Sequence, residues 1–559
     1  MKIFLRFLPL FRPFRLHAAA LSLVLLGTTA VTVGTPYFYK EIVDTGIAQG
    51  DLRYVILMVL AVIGAMILQE LFYLAQRHLT LSVREKVFTR LRMDLVTHLL
   101  RMPPGFFAAT HKGRLLSRIT SDVDAVQNML LEKYVYFVQH MLVGISIFVI
   151  VAYLEAAMVL AAGLFLPLLF VLYLYFRKKI AEASRKSQEM QEAMMERLQE
   201  DLSMVKAIQA FAAARERIRE TGRTIGETEH ARKRLSLRYA WASAATALLN
   251  MIGVAVIWGI GGAAVIDGRM SLGSLIAVSF YLNYVVGLFF NAYYTLIGFQ
   301  ASLPAARRIF EVLDAVPEIA DRPDAVPVDG LRDAIELRNV SFAYPNGRQV
   351  LRNVSLTLRK GEFVGVMGAS GQGKTTFIHL LMRFYDPTDG SILWDGVDLR
   401  SIRLESLRRA VVGVPQEDSL FNASLRENII LGRPGATEER FLNACRQAGV
   451  DRFAEGLEQG YDTQIGENGV KLSSGQRKRI AIARALLFDP DVIVLDEATS
   501  VLDEATERDI LDTVKELSRT RLVIVVTHKK SNLAAADRLL RVDGGAIFEE
   551  KVNGTAAEH

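Results

Sequence analysis

The residues of this chain best suited to chemistry lie in its C-terminal half. Gly368 to Thr376 reads GASGQGKTT, the G-x-x-x-x-G-K-T spacing that builds an oxyanion cradle ahead of a helix. Gly368, Gly371 and Gly373 let backbone N–H groups approach phosphate oxygens closely, with Ser370 and Gln372 between them. Lys374 reaches the β- and γ-phosphates of a nucleotide, Thr375 offers Mg²⁺ a hydroxyl, and Thr376 adds a phosphate contact. Further on, Asp496 and Glu497 close the apolar run VIVLDE. There Asp496 suits a water-mediated hold on Mg²⁺, and Glu497 suits a general base for an attacking water. LSSGQ, from Leu472 to Gln476, opens RKRIAIARALL, an amphipathic helix whose positive end can present Ser473 and Gly475 to a γ-phosphate. The phosphate loop alone fits a kinase, a GTPase or a helicase equally well.

The elements that must position these groups are legible as strands and helices. EFVGVM, Glu362 to Met367, is a short apolar strand leading straight into the loop. DVIVLDE is a buried parallel-strand pattern whose carboxylates emerge at the C-terminal edge, where α/β sheets place ligands. RLVIVVT, which precedes His528, suits the neighbouring strand, and VPQED places Gln416 just after another. Tyr344, in SFAYP, reads by itself as an ordinary strand tyrosine.

Taken in order, Tyr344, GASGQGKTT, Gln416, LSSGQ, VIVLDE, SVLD from Ser500 to Asp503 and His528 resemble the nucleotide-binding domain of ATP-binding-cassette transporters. The resemblance implies further roles. Tyr344 would stack on adenine, Gln416 would contact Mg²⁺ or the lytic water and report to the membrane half, and His528 would be the switch histidine on the γ-phosphate. LSSGQ, with Ser473, Ser474, Gly475 and Gln476, would complete the ATP site of an opposite subunit, and Asp503 would lie at that dimer interface. Glu467, in TQIGENG, resembles the exporter-specific loop. Three departures stand out: Ser474 in place of the usual glycine, Gln372 where serine is common, and THKKS after the switch histidine. None removes a catalytic group, although the added Cβ of Ser474 points to a modest turnover.

At 559 residues the chain exceeds one ordinary core. A hydrophobic share of 51% reflects an apolar N-terminal half followed by a soluble α/β half. VPEIADRPDAVPVDG, near the boundary, collects prolines and acids and suits an exposed linker. The expected domains are a membrane domain over 1–313, a linker over 314–330 and a nucleotide-binding domain over 331–559. The net charge of +6 does not mark a nucleic-acid binder, because the basic residues crowd beside apolar spans. The single cysteine, Cys445, allows no intramolecular disulfide, and no catalytic cysteine stands ahead of the membrane half. A leader-cleaving peptidase domain is therefore not expected.

Six apolar stretches reach the roughly 20 residues that a spanning helix needs: Ala18–Tyr37, Tyr54–Ala75, Tyr134–Leu154, Ala156–Phe176, Trp241–Ile266 and Leu275–Ile297. Lys2, Arg6, Arg12 and Arg15, the stretch Arg77 to Arg118, and Arg177 to Lys179 flank them in the pattern that places the N-terminus and the nucleotide half in the cytoplasm. Both long basic loops show helical spacing, so the spans continue beyond the membrane as helices. Phe106–Val126 and Met204–Arg217 resemble the two coupling segments of exporter-type members. In the sixth span Tyr284, Asn291 and Thr295 share one helical face, suited to a substrate path or to helix packing.

The fold expected is multi-domain, an all-α six-helix transmembrane domain followed by an α/β phosphate-loop ATPase. The resemblance implies a half-transporter of the exporter class in a bacterial inner membrane, using ATP and Mg²⁺. One phosphate loop and one LSSGQ per chain call for a second half-transporter, and intact Gln416, Glu497 and His528 favour a homodimer. The expected cargo is a small amphipathic peptide or drug-like molecule. A lipid flippase, an importer of exporter-like fold and a non-transporting membrane ATPase are the alternatives.

Overall fold

The computed structural model describes residues 3, 6–110, 112–154, 156–345, 347–415, 420–431, 433–466, 469–497, 504–529, 533 and 536–550, with backbone alone at 108–109, 112, 132–134, 154, 156–166, 286, 288–301 and 504–506. Two compact units result. One holds Met1–Leu100 and Lys112–Ala315, the other Arg101–His111 and Val316–His559.

Six long helices build the first unit: α1 (Arg15–Glu41), α2 (Leu52–Leu100), α3 (Tyr134–Leu154), α4 (Ala156–Ser203), α5 (Ala214–Ile266) and α6 (Leu272–Leu313). Helices α2, α4 and α5 have 49, 48 and 53 residues. At about 1.5 Å per residue each is more than twice as long as the roughly 30 Å hydrocarbon core is thick, so helix continues well past any span. By length and composition four stretches among the described residues can cross a membrane, Leu8–Ile47, Leu52–Leu100, Gly113–Tyr153 and Ala214–Ile266. The fourth and sixth expected spans fall partly on residues described by backbone alone, and Leu272–Val285 is a shorter apolar piece of the sixth. Helix α4 packs along α5, while α6 packs against α1, α3 and α5. Asp44, just past α1, fixes the start of α6, accepting from Gly273 N at 2.8 Å and from the Ser271 hydroxyl at 2.5 Å.

The second unit contains two sheets. Strands β1 (Ala334–Ala343), β2 (Gln349–Arg359), β4 (Asp389–Trp394) and β5 (Val397–Asp398) form an antiparallel sheet in the order β2-β1-β4-β5. Strands β3 (Phe363–Met367), β6 (Val411–Val414), β7 (Val492–Asp496), β8 (Leu522–Val526), β9 (Arg538–Asp543) and β10 (Ala546–Glu550) form the other, in the order β10-β9-β3-β8-β7-β6. Five of its strands are parallel and β10 runs antiparallel at the edge.

The parallel strands bury both faces, as their unbroken apolar runs require. In β8 all five residues are at most 1% exposed, and alternate side chains enter different cores. Val523 and Val525 pack with Ile480, Ile482 and Ala483 of α8 (Ser474–Phe488). Leu522, Ile524 and Val526 pack with Phe377 and Ile378 of α7 (Lys374–Leu381) and with Ile335, Leu351 and Trp394 of the antiparallel sheet. Each fully buried valine, leucine or isoleucine contributes about 1.5–3 kcal/mol, an upper estimate given a compact unfolded chain. The C-terminal edge of the parallel sheet is thereby held rigid.

Candidate nucleotide site

Register fixes the site. Val366 of β3 pairs with Val526 of β8, which pairs with Asp496 of β7. The phosphate loop, the carboxylate pair and His528 therefore leave three adjacent strands at one level. With strands about 4.8 Å apart, β3 and β7 are about 10 Å from each other, a distance that side chains close from both sides. Glu497 N donates to Val526 O at 2.9 Å and Thr527 N donates to Val366 O at 3.2 Å, extending the ladder to its last rung.

The loop is shaped by Gly371 at φ 80° and Gly373 at φ 112°. Gly373 also lies where a Cβ would come within 2.9 Å of Val350 Cγ1, so a side chain there would be strained on both counts. Lys374 is buried, and its Nζ donates to Gly368 O at 2.6 Å and Ala369 O at 3.2 Å. These bonds hold the ammonium inside the loop's curve, with the backbone N–H groups converging at the start of α7. Thr375 is exposed, whereas Thr376 is buried and its hydroxyl lies 2.9 Å from Tyr344 Oη. Tyr344 packs edge-on against Phe342 and Tyr385, at centroid distances of 5.0 and 5.4 Å. Ser370 is exposed at the loop's outer turn. Gln372 has a structural employment: its Oε1 accepts from Gly544 N at 3.0 Å and pins the loop to the turn between β9 and β10.

Asp496 and Glu497 differ in environment. Asp496 is 8% exposed, and burial, joined by the neighbouring charge of Glu497, pushes its carboxyl above the usual range. A hydrogen bond from Thr375 and the charges of Lys374 and Lys478 pull the other way. A hydroxyl bonded to a carboxylate offers hard oxygen donors of the kind Mg²⁺ takes, so Thr375 and Asp496 would suit holding that ion. Glu497 sits at φ 50°, a left-handed conformation costing about 1–3 kcal/mol for a residue with a side chain. The turn aims its carboxylate out of the sheet edge, where Oε1 lies 3.9 Å from Nδ1 of His528, whose side chain is 60% exposed. Glu497, His528 and Asp496 are thus gathered at one edge of the sheet.

Ser473 starts α8 as its N-cap. Its Oγ accepts from Gln476 N at 3.2 Å and Gln476 Oε1 accepts from Ser473 N at 2.9 Å, a reciprocal capping box. Ser474 is then the first helical residue, where no glycine conformation is needed, so the added Cβ costs the backbone nothing. Gly475 follows in the same first turn. Lys529, in the THKKS departure, donates to Glu507 Oε2 at 3.0 Å and ties the segment after β8 to α9 (Glu504–Ser518). Gln416, Glu467 and Asp503 lie outside the described residues, as do the side chains of Asn291 and Thr295; Tyr284 is 37% exposed.

One participant escapes sequence reasoning. Lys478, inside RKRIAIARALL, reads as part of a charged helix face, yet it is 1% exposed and donates to Pro415 O at 2.9 Å. It fixes the residue preceding Gln416 and adds positive charge beneath Asp496. No spacing in the sequence sets it apart from its basic neighbours.

Comparison with known proteins covers both halves of the chain. The family described as ABC transporter transmembrane region matches residues 19–289, and that described as ABC transporter matches residues 351–500. An ATP-dependent lipid A-core flippase of Syntrophus aciditrophicus is 33% identical over 99% of this chain and 92% of its own length. A Bacillus subtilis protein whose name proposes multidrug export is 29% identical over 98% of this chain and 96% of its own length. The solved structure of a bacterial Atm1-family ABC exporter with ATP bound superimposes with a TM-score of 0.84 at 27% identity, covering 95% of this chain and 94% of that one. The chain belongs to the ABC transporter family. It is an exporter-type half-transporter, an integral membrane ATPase in which ATP hydrolysis drives transport.

Proposed function

We propose that two copies of this chain form a homodimer that exports a small amphipathic molecule, peptide or drug-like, from the cytoplasm across the inner membrane by alternating access. The observation that carries the reading is the intact set at the sheet edge: Lys374 inside its loop, Asp496 bonded to Thr375, and Glu497 turned toward His528. A chain retaining all of these needs no catalytically stronger partner. Each ATP, with Mg²⁺ on Thr375, Asp496 and Gln416, would lie between the phosphate loop of one copy and LSSGQ of the other. Tyr344 would stack on the adenine, and Asp503 would face the partner. ATP then closes the pair and biases the membrane helices outward, and hydrolysis releases them.

Six spans, with the N-terminus and ATPase unit in the cytoplasm, follow from the basic flanks at Arg77 to Arg118 and Arg177 to Lys179. Tyr284, Asn291 and Thr295 would face the path. A second reading, lipid flipping, is favoured by the relative named as a lipid A-core flippase, similar over nearly the whole chain. Proteoliposomes decide between them. Cargo-stimulated ATPase with flux into inside-out vesicles supports export of soluble amphiphiles, and stimulation confined to lipid headgroup movement supports the flippase. ATPase without vectorial flux of any class refutes both. The dimer is tested by mixing Lys374→Ala and Gly475→Glu chains. Mixed dimers keep one intact composite site and should hydrolyse above either parent; equal inactivity overturns the paired-site reading.

A further inference from the structure

Helices α4 and α5 enclose a groove of about 880 Å³, within the range of small-ligand sites. Lys179, Ala183, Lys186 and Met190 recur at helical spacing along one wall, and Glu227, Ala231, Arg234, Arg238 and Trp241 along the other. The floor is firm, because Ile180 and Ala242 are buried against Leu235 and Tyr239. At the far end the Thr228 hydroxyl, which lies 2.8 Å from Thr224 O in its own helix, comes within 3.1 Å of Met190 O across the helix pair.

Charge in the groove is unbalanced. Lys179, Lys186, Arg234 and Arg238 share its lining with Glu182 and Glu227 alone among carboxylates, and Lys186 also reaches Glu189, outside the lining, at 3.9 Å. Glu227 is engaged from outside by Arg223 at 3.0 Å, and among the described residues Arg234 and Arg238 have no carboxylate within ion-pair distance. The groove also has a direction. At one end Lys179 follows the apolar run that closes at Phe176, and Arg238 precedes the one that opens at Trp241, so both helices pass there from apolar to charged sequence. At about 1.5 Å per residue, the cationic walls extend roughly 16 Å beyond that transition, to Met190 and Glu227. An exposed tryptophan at a membrane-level rim with cations beyond it suits a molecule having an apolar tail and an anionic head.

We propose that this groove binds the phosphate headgroup of an anionic lipid, drawn from the cytoplasmic leaflet, with Arg234 and Arg238 holding the phosphate and Trp241 against the acyl chains. Arginine is suited to the task because its fork donates two bonds to one phosphate. The leaflet assignment rests on the orientation proposed above; the site itself does not.

The test uses the full-length dimer in nanodiscs, in a Trp258→Phe background so that Trp241 is the membrane-half reporter. Phosphatidylglycerol with brominated acyl chains should quench Trp241 at least twofold more than brominated phosphatidylcholine. That excess should vanish in Arg234→Gln/Arg238→Gln, survive in the Lys/Lys version, and survive in Arg232→Gln/Lys233→Gln, an equal charge loss outside the groove. Lys179→Gln/Lys186→Gln serves if the first pair fails to elute as a folded dimer. Equal quenching by the two lipids, or loss of the excess in the Arg232/Lys233 control, overturns the proposal. Displacement by millimolar glycerol phosphate would make the ligand a soluble phosphate ester and overturn the lipid assignment. Orientation is read separately from a cysteine at Arg185: labelling in intact cells would overturn the leaflet while leaving the quenching result to judge the site.

Discussion

Replacing Glu497 by glutamine isolates the chemical step. The amide keeps the volume of a side chain that is only 19% exposed, and the backbone bond from Glu497 N to Val526 O is untouched, so the strained turn survives. On the proposed general-base role, the proton acceptor is lost. General-base catalysis contributes about 10²–10⁴ in rate, or about 2.7–5.4 kcal/mol of barrier, so turnover should fall by at least a hundredfold. Binding should not fall with it. A carboxylate about 5 Å from a γ-phosphate repels it by about 3 kcal/mol at an effective dielectric near 20, so its removal leaves affinity unchanged or tighter. The pH dependence should also move. Glu497's charge is one of the forces holding the Asp496 carboxyl above its usual range; without it Asp496 stays ionised as pH falls further, and Mg-ATP binding should persist to lower pH than in the wild type. Steady-state phosphate release and equilibrium binding of a fluorescent ATP analogue measure all three. Turnover within a few-fold of wild type at saturating Mg²⁺ would refute the general-base assignment.

Three further outcomes are expected. Gln372→Ala deletes the bond to Gly544 N and should raise KM for ATP about two- to tenfold, from about 0.5–1.5 kcal/mol for a lost hydrogen bond; unchanged KM and Tm would show that the pin holds nothing. Ser474→Gly should leave ATPase within about twofold and lower Tm slightly, since glycine costs up to about 1 kcal/mol in a helix; a large gain in turnover would show that the serine does crowd the phosphate. Cys445 is buried, with its thiol pushed up to about 12, and should resist maleimide at neutral pH, leaving single cysteines at Asp51 and Arg185 to report topology. Asp51→Cys should label in intact cells and Arg185→Cys only after lysis; the reverse pattern overturns the orientation.

Much of the site was legible because phosphate chemistry imposes local spacing. The loop from Gly368 to Thr376 must follow a strand and open a helix, and it does so between β3 and α7. VIVLDE and RLVIVVT read as adjacent buried strands, and register confirms them as β7 and β8. The antiparallel sheet was not foreseen, since β1, β2 and β4 carry mixed faces and irregular register that no short period announces. Lys478 was illegible for a related reason: its burial follows from the tertiary docking of α8 under Pro415, not from helical spacing. The departures at Gln372, Ser474 and Lys529 were visible as letters, and only contacts at distant positions, Gly544 and Glu507 among them, give them meaning.

The second compact unit takes Arg101–His111 from the midst of the first unit's sequence. Within it, a Cβ added to Gly105 would lie 2.8 Å from the ring of Tyr385, the same ring that packs on Tyr344 beside Thr376. A fragment cut at Ala315 would therefore be an incomplete object, with a bare aromatic rim where that short segment belongs. For anyone building chimeras, the unit of exchange is discontinuous: an ATPase half transplanted without its eleven-residue tithe from Arg101–His111 arrives missing one wall. Heredity faces the same constraint, because a crossover between the two stretches separates parts of one folded body and exposes every recombinant to a mismatch at Gly105.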